Sequence, residues 1–418
     1  MLTEIELKNF KCYENIKITD LRNITVFIGK NNAGKSAILQ AVYFLRQSIS
    51  NKRFDWDEDN FGTYIDIVYK HEADRNIEIS CAFAVTKGEN DHLKKYVGDE
   101  ISHIKYSILL NKDSMADKET IFVNGIETLV LEHQKGTNPA NLLLKKSPLR
   151  ENLENLIIKK GDIPKRNDDD WVVSLSSYSM VYPFSWGVYA KELQKFPEYQ
   201  VIEDLKNILI NKFRDIYFIS DRRGINTALS SLDKEPENVG IWGQNTSAKL
   251  HYLHADRNQI FDEIEKWIKK IDSEIQLLKT PLRGGRTTIE FETLVTDVNL
   301  LKSGYGLNTV FPVIMQSLLS PDGSTILIEE PEIHLHRGAQ DTLFALFLKC
   351  IQDEKQIIFT THSLDLNIVM WKSIQTHVFD KKHAKVWNIN SENGVRKPEE
   401  IKSWENFYNW RKELKDLV

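Results

Sequence analysis

The chain has 418 residues, room for two or three lobes or for one large domain carrying insertions. It carries 55 Lys and Arg against 60 Asp and Glu, a net charge of −5, which excludes a strongly basic nucleic-acid coat but permits a local basic groove. With 41% hydrophobic and 28% charged residues it is a folded chain, and no run of 18 apolar residues suggests a membrane span.

In chain order, Leu2, Ile5 and Leu7 mark a first short strand and Ile16-Lys17-Ile18 a second. Nothing basic precedes an apolar block at the start, so no secretory signal is expected and the cytoplasm is the expected location. Cys12, Cys81 and Cys350 are too scattered for a disulfide framework or a paired Cys-x-x-Cys metal site. Ile24-Thr25-Val26-Phe27-Ile28 is a nearly continuous apolar run, the pattern of a strand buried on both faces. A glycine-rich turn and a helix carrying Ile38, Leu39, Val42, Tyr43 and Leu45 follow it. Strand, glycine loop and helix open an α/β nucleotide-binding unit.

Tyr64-Ile67, Asn76-Val85, Ile104-Leu110, Thr120-Val123 and Ile126-Leu131 alternate apolar with polar residues, and Asn124-Gly125 is a hairpin turn signal. An antiparallel sheet is expected over residues 62–132. Beyond it, the lysine pairs Lys145-Lys146 and Lys159-Lys160 and the pair Lys165-Arg166 alternate with apolar patches, and Asp168-Asp169-Asp170 reads as an exposed loop. These basic pairs form either a solvated face or a nucleic-acid or partner surface. One amphipathic helix is expected from Asp256 to Leu278, with Ile260, Ile264, Trp267, Ile268, Ile271, Ile275 and Leu278 on its stripe. Thr325-Ile328 and Gln356-Phe359 are short buried-strand runs flanking a helix with Leu343, Leu346, Phe347 and Ile351. Trp404, Phe407, Tyr408 and Trp410 near the end belong to a docking helix or a packed cap.

Gly29-Lys30-Asn31-Asn32-Ala33-Gly34-Lys35-Ser36 matches G-x-x-x-x-G-K-[ST] in full. Such a loop turns successive N–H groups toward phosphate oxygens, and glycine allows the dihedrals and the close approach. The lysine places a cation between β- and γ-phosphates, the serine hydroxyl ligates Mg²⁺, and the helix N-terminus favours the anion. Ile326-Leu327-Ile328-Glu329-Glu330-Pro331-Glu332 is an apolar strand ending in acids, one to hold Mg²⁺ and one to polarise the attacking water. Phe359-Thr360-Thr361-His362-Ser363 ends the next strand with a histidine suited to the γ-phosphate or that water.

These three motifs, with Ser303-Gly304-Tyr305-Gly306 ahead of the second, resemble the ABC-type ATPase head of the SMC, RecF and OLD group. Leu7-Lys8-Asn9-Phe10-Lys11 resembles that group's N-terminal strand, which lies near the adenine. Arg222-Arg223-Gly224 and Glu329-Glu330-Pro331-Glu332-Ile333-His334-Leu335-His336 are similar to segments of the compact RecF/OLD-like ATPases of bacterial antiphage systems of the Septu, Gabija and PARIS kind. The resemblance covers residues 1–50 and 216–363. It implies an α/β P-loop NTPase fold, an ABC-type head with an antiparallel β subdomain and an inserted helical region. It implies ATP contacts from Gly29, Asn31, Asn32, Gly34, Lys35, Ser36 and Ala37, from Asn9, Phe10 and Lys11, and from the signature residues Ser303, Gly304 and Gly306. It further implies Mg²⁺ on Ser36 and Glu329, Glu330 as the catalytic glutamate and His362 as the switch histidine.

The chain departs from the pattern in places. Glu329 stands where most ABC proteins have Asp, the signature is not Leu-Ser-Gly-Gly-Gln, and Arg337 follows His336 where relatives usually have proline. Glu332, His334 and His336 alternate like metal ligands, but sit where the family has its D-loop. Four segments are expected: an N-terminal ATPase lobe over 1–135, a mostly helical insertion over 136–280, a C-terminal ATPase lobe over 281–380 and a cap or docking tail over 381–418. Only 56 residues follow His362, too few for the Toprim nuclease domain of OLD-type nucleases. The expected function is an ATP-hydrolysing sensor or motor subunit of a prokaryotic antiviral complex, dimeric or higher, with a nuclease or toxin effector in trans and nucleic acid or a phage component as a further partner. The alternatives are a RecF-like DNA-binding repair ATPase and a scaffold that dimerises on ATP with little turnover.

Overall fold

The computed structural model describes residues 1–51, 62–97, 100–112, 116–133, 140–144, 165–166, 170–175, 197–225, 230–392 and 395–415. The chain divides into two compact units, each discontinuous in sequence. Met1–Leu21, Gln40–Arg214 and Ser391–Lys397 make the first, and Arg22–Leu39, Asp215–Asn390 and Pro398–Val418 the second.

The first unit is built on a nine-stranded sheet in the order β2-β1-β4-β5-β6-β7-β8-β10-β9. Its strands are β1 (Leu2–Phe10), β2 (Tyr13–Ile18), β4 (Ile77–Ala84), β5 (His103–Leu110), β6 (Ala116–Val123), β7 (Ile126–His133), β8 (Ala140–Leu144), β9 (Lys165–Arg166) and β10 (Asp170–Leu175). The pairs within it are antiparallel, and alternation sets the register: Leu7 faces Ile79, which faces Ile108. Asn124 (φ 50°) and Gly125 (φ 80°) turn β6 into β7 with both central residues left-handed, as the Asn-Gly pair predicts. The helix Pro197–Arg214 packs on this sheet through Phe213, whose ring centroid lies 4.9 Å from Phe83 and 5.9 Å from Tyr106.

Two local features depart from the sequence expectation. Tyr64–Ile67 is a helical turn, because the Thr63 N–H and hydroxyl both donate to the Asp66 carboxylate at 2.7 Å and wind the chain. Likewise Thr86 and Glu89 cap each other at the start of a helix, Lys87–Val97, inserted between β4 and β5. The segment expected to be a helical insertion is mixed, since β8, β9 and β10 continue the sheet while Pro197–Arg214, Thr246–Ala255 and Gln259–Ile271 are helices. Lys165-Arg166 form β9 and Asp170 opens β10. Lys145, Lys146, Lys159, Lys160, Asp168 and Asp169 lie outside the described residues.

The second unit holds a six-stranded sheet in the order β11-β18-β19-β3-β20-β21. Its strands are β3 (Ile24–Ile28), β11 (Ile216–Ile219), β18 (Thr325–Glu329), β19 (Gln356–Thr360), β20 (Ala384–Glu392) and β21 (Val395–Glu400). The neighbours from β11 to β20 pair in parallel. Every residue of β3, β18 and β19 is buried, which explains their continuous apolar runs. Helices Gln259–Ile271, Tyr305–Leu319, Arg337–Gln352 and Leu364–Gln375 share one apolar core with these strands. The helix Trp404–Lys415 packs on the same core with Phe407 fully buried between Trp404 and Trp410.

The long amphipathic helix is shorter than the stripe predicts. It ends at Ile271, and Ile275 and Leu278 belong to a strand, β13 (Ile275–Lys279). Asp272 leaves helical geometry (φ −136°, ψ 103°) and its carboxylate accepts the Glu274 N–H, which turns the chain. A register shift between Ile275 and Leu277 then lets residues three apart both face the core, imitating helical spacing. Among the described residues no helix is long and apolar enough to cross a membrane.

Candidate functional site

In the second unit four segments emerge from the carboxyl ends of parallel strands: Gly29–Ser36 after β3, Ser220–Arg223 after β11, Glu330–Glu332 after β18, and Thr361–Ser363 after β19. Parallel sheets bind ligands at that edge, where loops and helix N-termini meet. β19 lies between β3 and β18, so the histidine strand separates the glycine loop from the acids and all three ends adjoin.

The glycine loop is shaped by its glycines. Gly29 has φ 146°, and a Cβ there would sit 2.6 Å from the Ile389 carbonyl oxygen. Asn32 (φ 59°) and Gly34 (φ 105°) are also left-handed, giving the curl that turns backbone N–H groups inward. Ala33 and Ala37 are buried behind the loop, and Asn31 is exposed on it. Lys35 is only 5% exposed, and its ammonium donates to the carbonyls of Gly29 and Lys30 at 3.2 Å and to His362 Nε2 at 2.7 Å. Burial lowers the Lys35 pKa, while Glu330 and Glu332 pull it back up. Burial, and then the neighbouring ammonium, push His362 down to about 4, so its ring is neutral and accepts from Lys35. The 3.3 Å approach of His362 Nε2 to Glu330 Oε1 is therefore a contact of a neutral ring with a carboxyl group and not an ion pair.

The acids are buried side by side, which favours their protonated forms. Glu329 is 1% exposed; its Oε2 accepts from Ser220 Oγ and the Asp221 N–H at 3.2 Å, and Ser36 donates to the same carboxylate. Burial, with Asp221 beside it, pushes Glu329 up to about 7. Glu330 Oε2 accepts the His362 N–H at 2.9 Å, and burial next to Glu332 pushes it up to about 8. Glu330 also holds a left-handed backbone, φ 42°, with its N–H donating to the Thr360 carbonyl at 3.0 Å. The pairing of the Ser36 hydroxyl with the Glu329 carboxylate is the hard-oxygen donor set that Mg²⁺ takes, so the residues fit that ion.

The structure thus brings Gly29, Gly34, Lys35, Ser36, Glu329, Glu330 and His362 together. Ser303 and Gly304 lead into the helix Tyr305–Leu319, and Ser303 Oγ donates locally to the Leu300 carbonyl at 2.7 Å. Gly306 lies so close to the chain that a Cβ would meet the His334 carbonyl oxygen at 2.5 Å. Asn9, Phe10 and Lys11 belong to the first unit: Asn9 donates to the Asn76 carbonyl, Phe10 is fully buried, and Lys11 donates to Gln40. Glu332, His334 and His336 point to three different tasks. Glu332 accepts from Thr361 Oγ1 and the Ser363 N–H, His334 packs beside the exposed Tyr305 ring, and His336 caps the following helix. Among the described residues no group of three His, Cys, Asp or Glu is arranged to hold a metal.

Sequence reasoning gave no role to Asp221 and placed the fully buried Arg223 only within a resembling segment. Their signal is weak, because an acid or arginine after a strand is ordinary until its strand is known to neighbour β18.

Residues 1–366 match the AAA ATPase domain family. The chain is 22% identical over 307 residues to the DNA replication and repair protein RecF of Clostridium perfringens, covering 66% of this chain and 84% of that one. RecF of Bacillus mycoides is 27% identical over 109 residues, covering 23% and 29%. Among solved structures, an Smc head bound to the C-winged helix domain of ScpA is 15% identical, covers 98% of this chain and 99% of that one, and has a TM-score of 0.48. An Smc head domain with an extended coiled coil, bound to the C-terminal domain of ScpA from Pyrococcus furiosus, is 13% identical with a TM-score of 0.48, covering 99% of each chain.

Proposed function

The chain belongs to the AAA ATPase domain family and hydrolyses ATP, and from that premise we propose that it does so at the ends of β3, β18 and β19. The observation that carries this reading is the convergence there of Lys35, Ser36, Glu329, Glu330 and His362. On this reading the loop Gly29–Ser36 with Ala37 cradles the phosphates, and Lys35 leaves His362 to lie between the β- and γ-oxygens. Ser36 and Glu329 hold Mg²⁺, which neutralises charge on the phosphate oxygens. Glu330 accepts a proton from the attacking water, and His362 positions that water or the γ-phosphate. Ser303, Gly304 and Gly306 contact the ATP of a second copy.

Two variants test the site. Lys35→Ala loses ATP binding while keeping its fold, read by equilibrium binding and circular dichroism. Glu330→Gln keeps ATP binding and loses turnover, because the amide keeps the shape and cannot take the proton. Tight binding by a folded Lys35→Ala protein, or undiminished turnover in Glu330→Gln, contradicts the assignment.

For the biological task, the resemblance of Glu329–His336 and Arg222–Gly224 to compact antiphage ATPases supports a cytoplasmic sensor or motor subunit with a nuclease or toxin effector in trans. The RecF relatives favour a second reading, a DNA-binding repair ATPase. Turnover measured with and without DNA separates them from each other and from a scaffold that barely hydrolyses. Strong stimulation by DNA alone supports the repair reading, and stimulation that needs a co-purifying nuclease or toxin supports the defence reading.

A further inference from the structure

Arg223 is 4% exposed, and its guanidinium is spent on main-chain carbonyls. Nε donates to Thr309 O at 2.7 Å, Nη1 to Ser220 O at 3.1 Å and Glu329 O at 2.6 Å, and Nη2 to Glu330 O at 2.7 Å. A fully buried cation is costly, and a residue that merely filled the space between β11 and β18 would be apolar. Burial lowers its pKa to about 10, with Glu332, Asp221, Glu329 and Glu330 drawing it back up, so it stays charged at neutral pH.

The four carbonyls belong to segments that must be fixed relative to one another. Ser220 follows β11, Glu329 ends β18, Glu330 is the left-handed residue after it, and Thr309 lies in the early turns of the helix that follows the signature loop. A left-handed glutamate is strained, and such strain persists only where the surroundings fix it. Here the Glu330 N–H is held by Thr360 and its carbonyl by Arg223. The same helix is fastened to this region twice more. Thr309 Oγ1 donates to the Ile333 carbonyl at 3.1 Å, and Asn308 Oδ1 accepts the Ile225 N–H at 2.7 Å.

We propose that Arg223 is a positioning residue for ATP hydrolysis: its guanidinium locks the strained Glu330 main chain to the helix Tyr305–Leu319, and so aims the Glu330 carboxylate. The inference rests on the site reading above, in which Glu330 is the base. A lysine cannot replace it, because one ammonium cannot span carbonyls on three segments that the planar fork reaches together.

The test uses the full chain and compares wild type, Glu330→Gln, Arg223→Lys and Arg223→Ala for ATP affinity, kcat and melting temperature. Arg223→Lys should bind ATP as wild type does, with kcat down about a hundredfold, the scale of a small misplacement of a reacting group. Added guanidinium ion at low millimolar concentration should restore part of the turnover of Arg223→Ala, and urea should not. Wild-type kcat in Arg223→Lys overturns the proposal. So does a parallel loss of ATP affinity, turnover and melting temperature with no response to guanidinium, the mark of a merely structural residue. If Arg223→Ala does not fold, the kcat and affinity of Arg223→Lys decide. Undiminished turnover in Glu330→Gln removes the site reading itself, and that result is separate from anything Arg223 variants show.

Discussion

Glu330 and His362 touch one another yet titrate in opposite directions, and this fixes how stability follows pH when no nucleotide or metal is added. Glu329 and Glu330 are held at about 7 and about 8 against an ordinary 4.5, so the folded chain keeps protons there that the unfolded chain releases. Their contribution is fully present below the unfolded value and is lost as pH rises through 7 and 8. His362, held at about 4 against 6.5, refuses a proton the unfolded chain accepts, and withdraws stability as pH falls below 6.5. Two acids outweigh one half-exposed histidine, so calorimetry should show a higher melting temperature near about pH 6.5 than near about pH 8.5. Glu330→Gln should flatten that slope. A melting temperature that rises over this interval, with the variant parallel to wild type, contradicts the assignment of these shifts.

Among the elements, the loop between β3 and its helix was the most legible, because glycine spacing, an apolar strand and a helical stripe all pointed to one geometry. Gly29 shows why glycine is needed: its φ of 146° and the Ile389 carbonyl 2.6 Å from any Cβ leave no room for a side chain. Gly29→Ala should cost about 2–3 kcal/mol in urea unfolding, the range of a strained backbone plus a displaced strand; a loss under about 0.5 kcal/mol, the size of an ordinary surface change, contradicts the geometry. The buried strands β18 and β19 were equally readable from their apolar runs. Where periodicity was ambiguous the reading failed. Ile275 and Leu278 continued a helical stripe only because a register shift in β13 gives residues three apart the same face. Tyr64–Ile67 alternated like a strand, but the Thr63–Asp66 cap decided its shape. Asp221 was invisible as a site residue, and Arg223 stood out only through a family resemblance, because strand order, not sequence spacing, puts β11 beside β18.

For the molecule as a whole, the second unit carries one phosphate loop and one Ser303–Gly306 turn, and the described bonds of Ser303 are local. If ATP lies between the phosphate loop of one copy and the turn of another, a two-fold dimer makes two shared sites from identical halves. Lys35→Ala disables the loop half and Ser303→Arg the turn half. Each protein alone should be inactive. Mixed in equal amounts with subunits free to exchange, half the dimers pair the two variants, and each such dimer rebuilds one intact site, so about a quarter of all sites should turn over ATP. That mixture is the most direct measurement of the account: recovered hydrolysis near that fraction is what it predicts, and continued inactivity despite demonstrated subunit exchange would contradict it by placing the whole site within one chain.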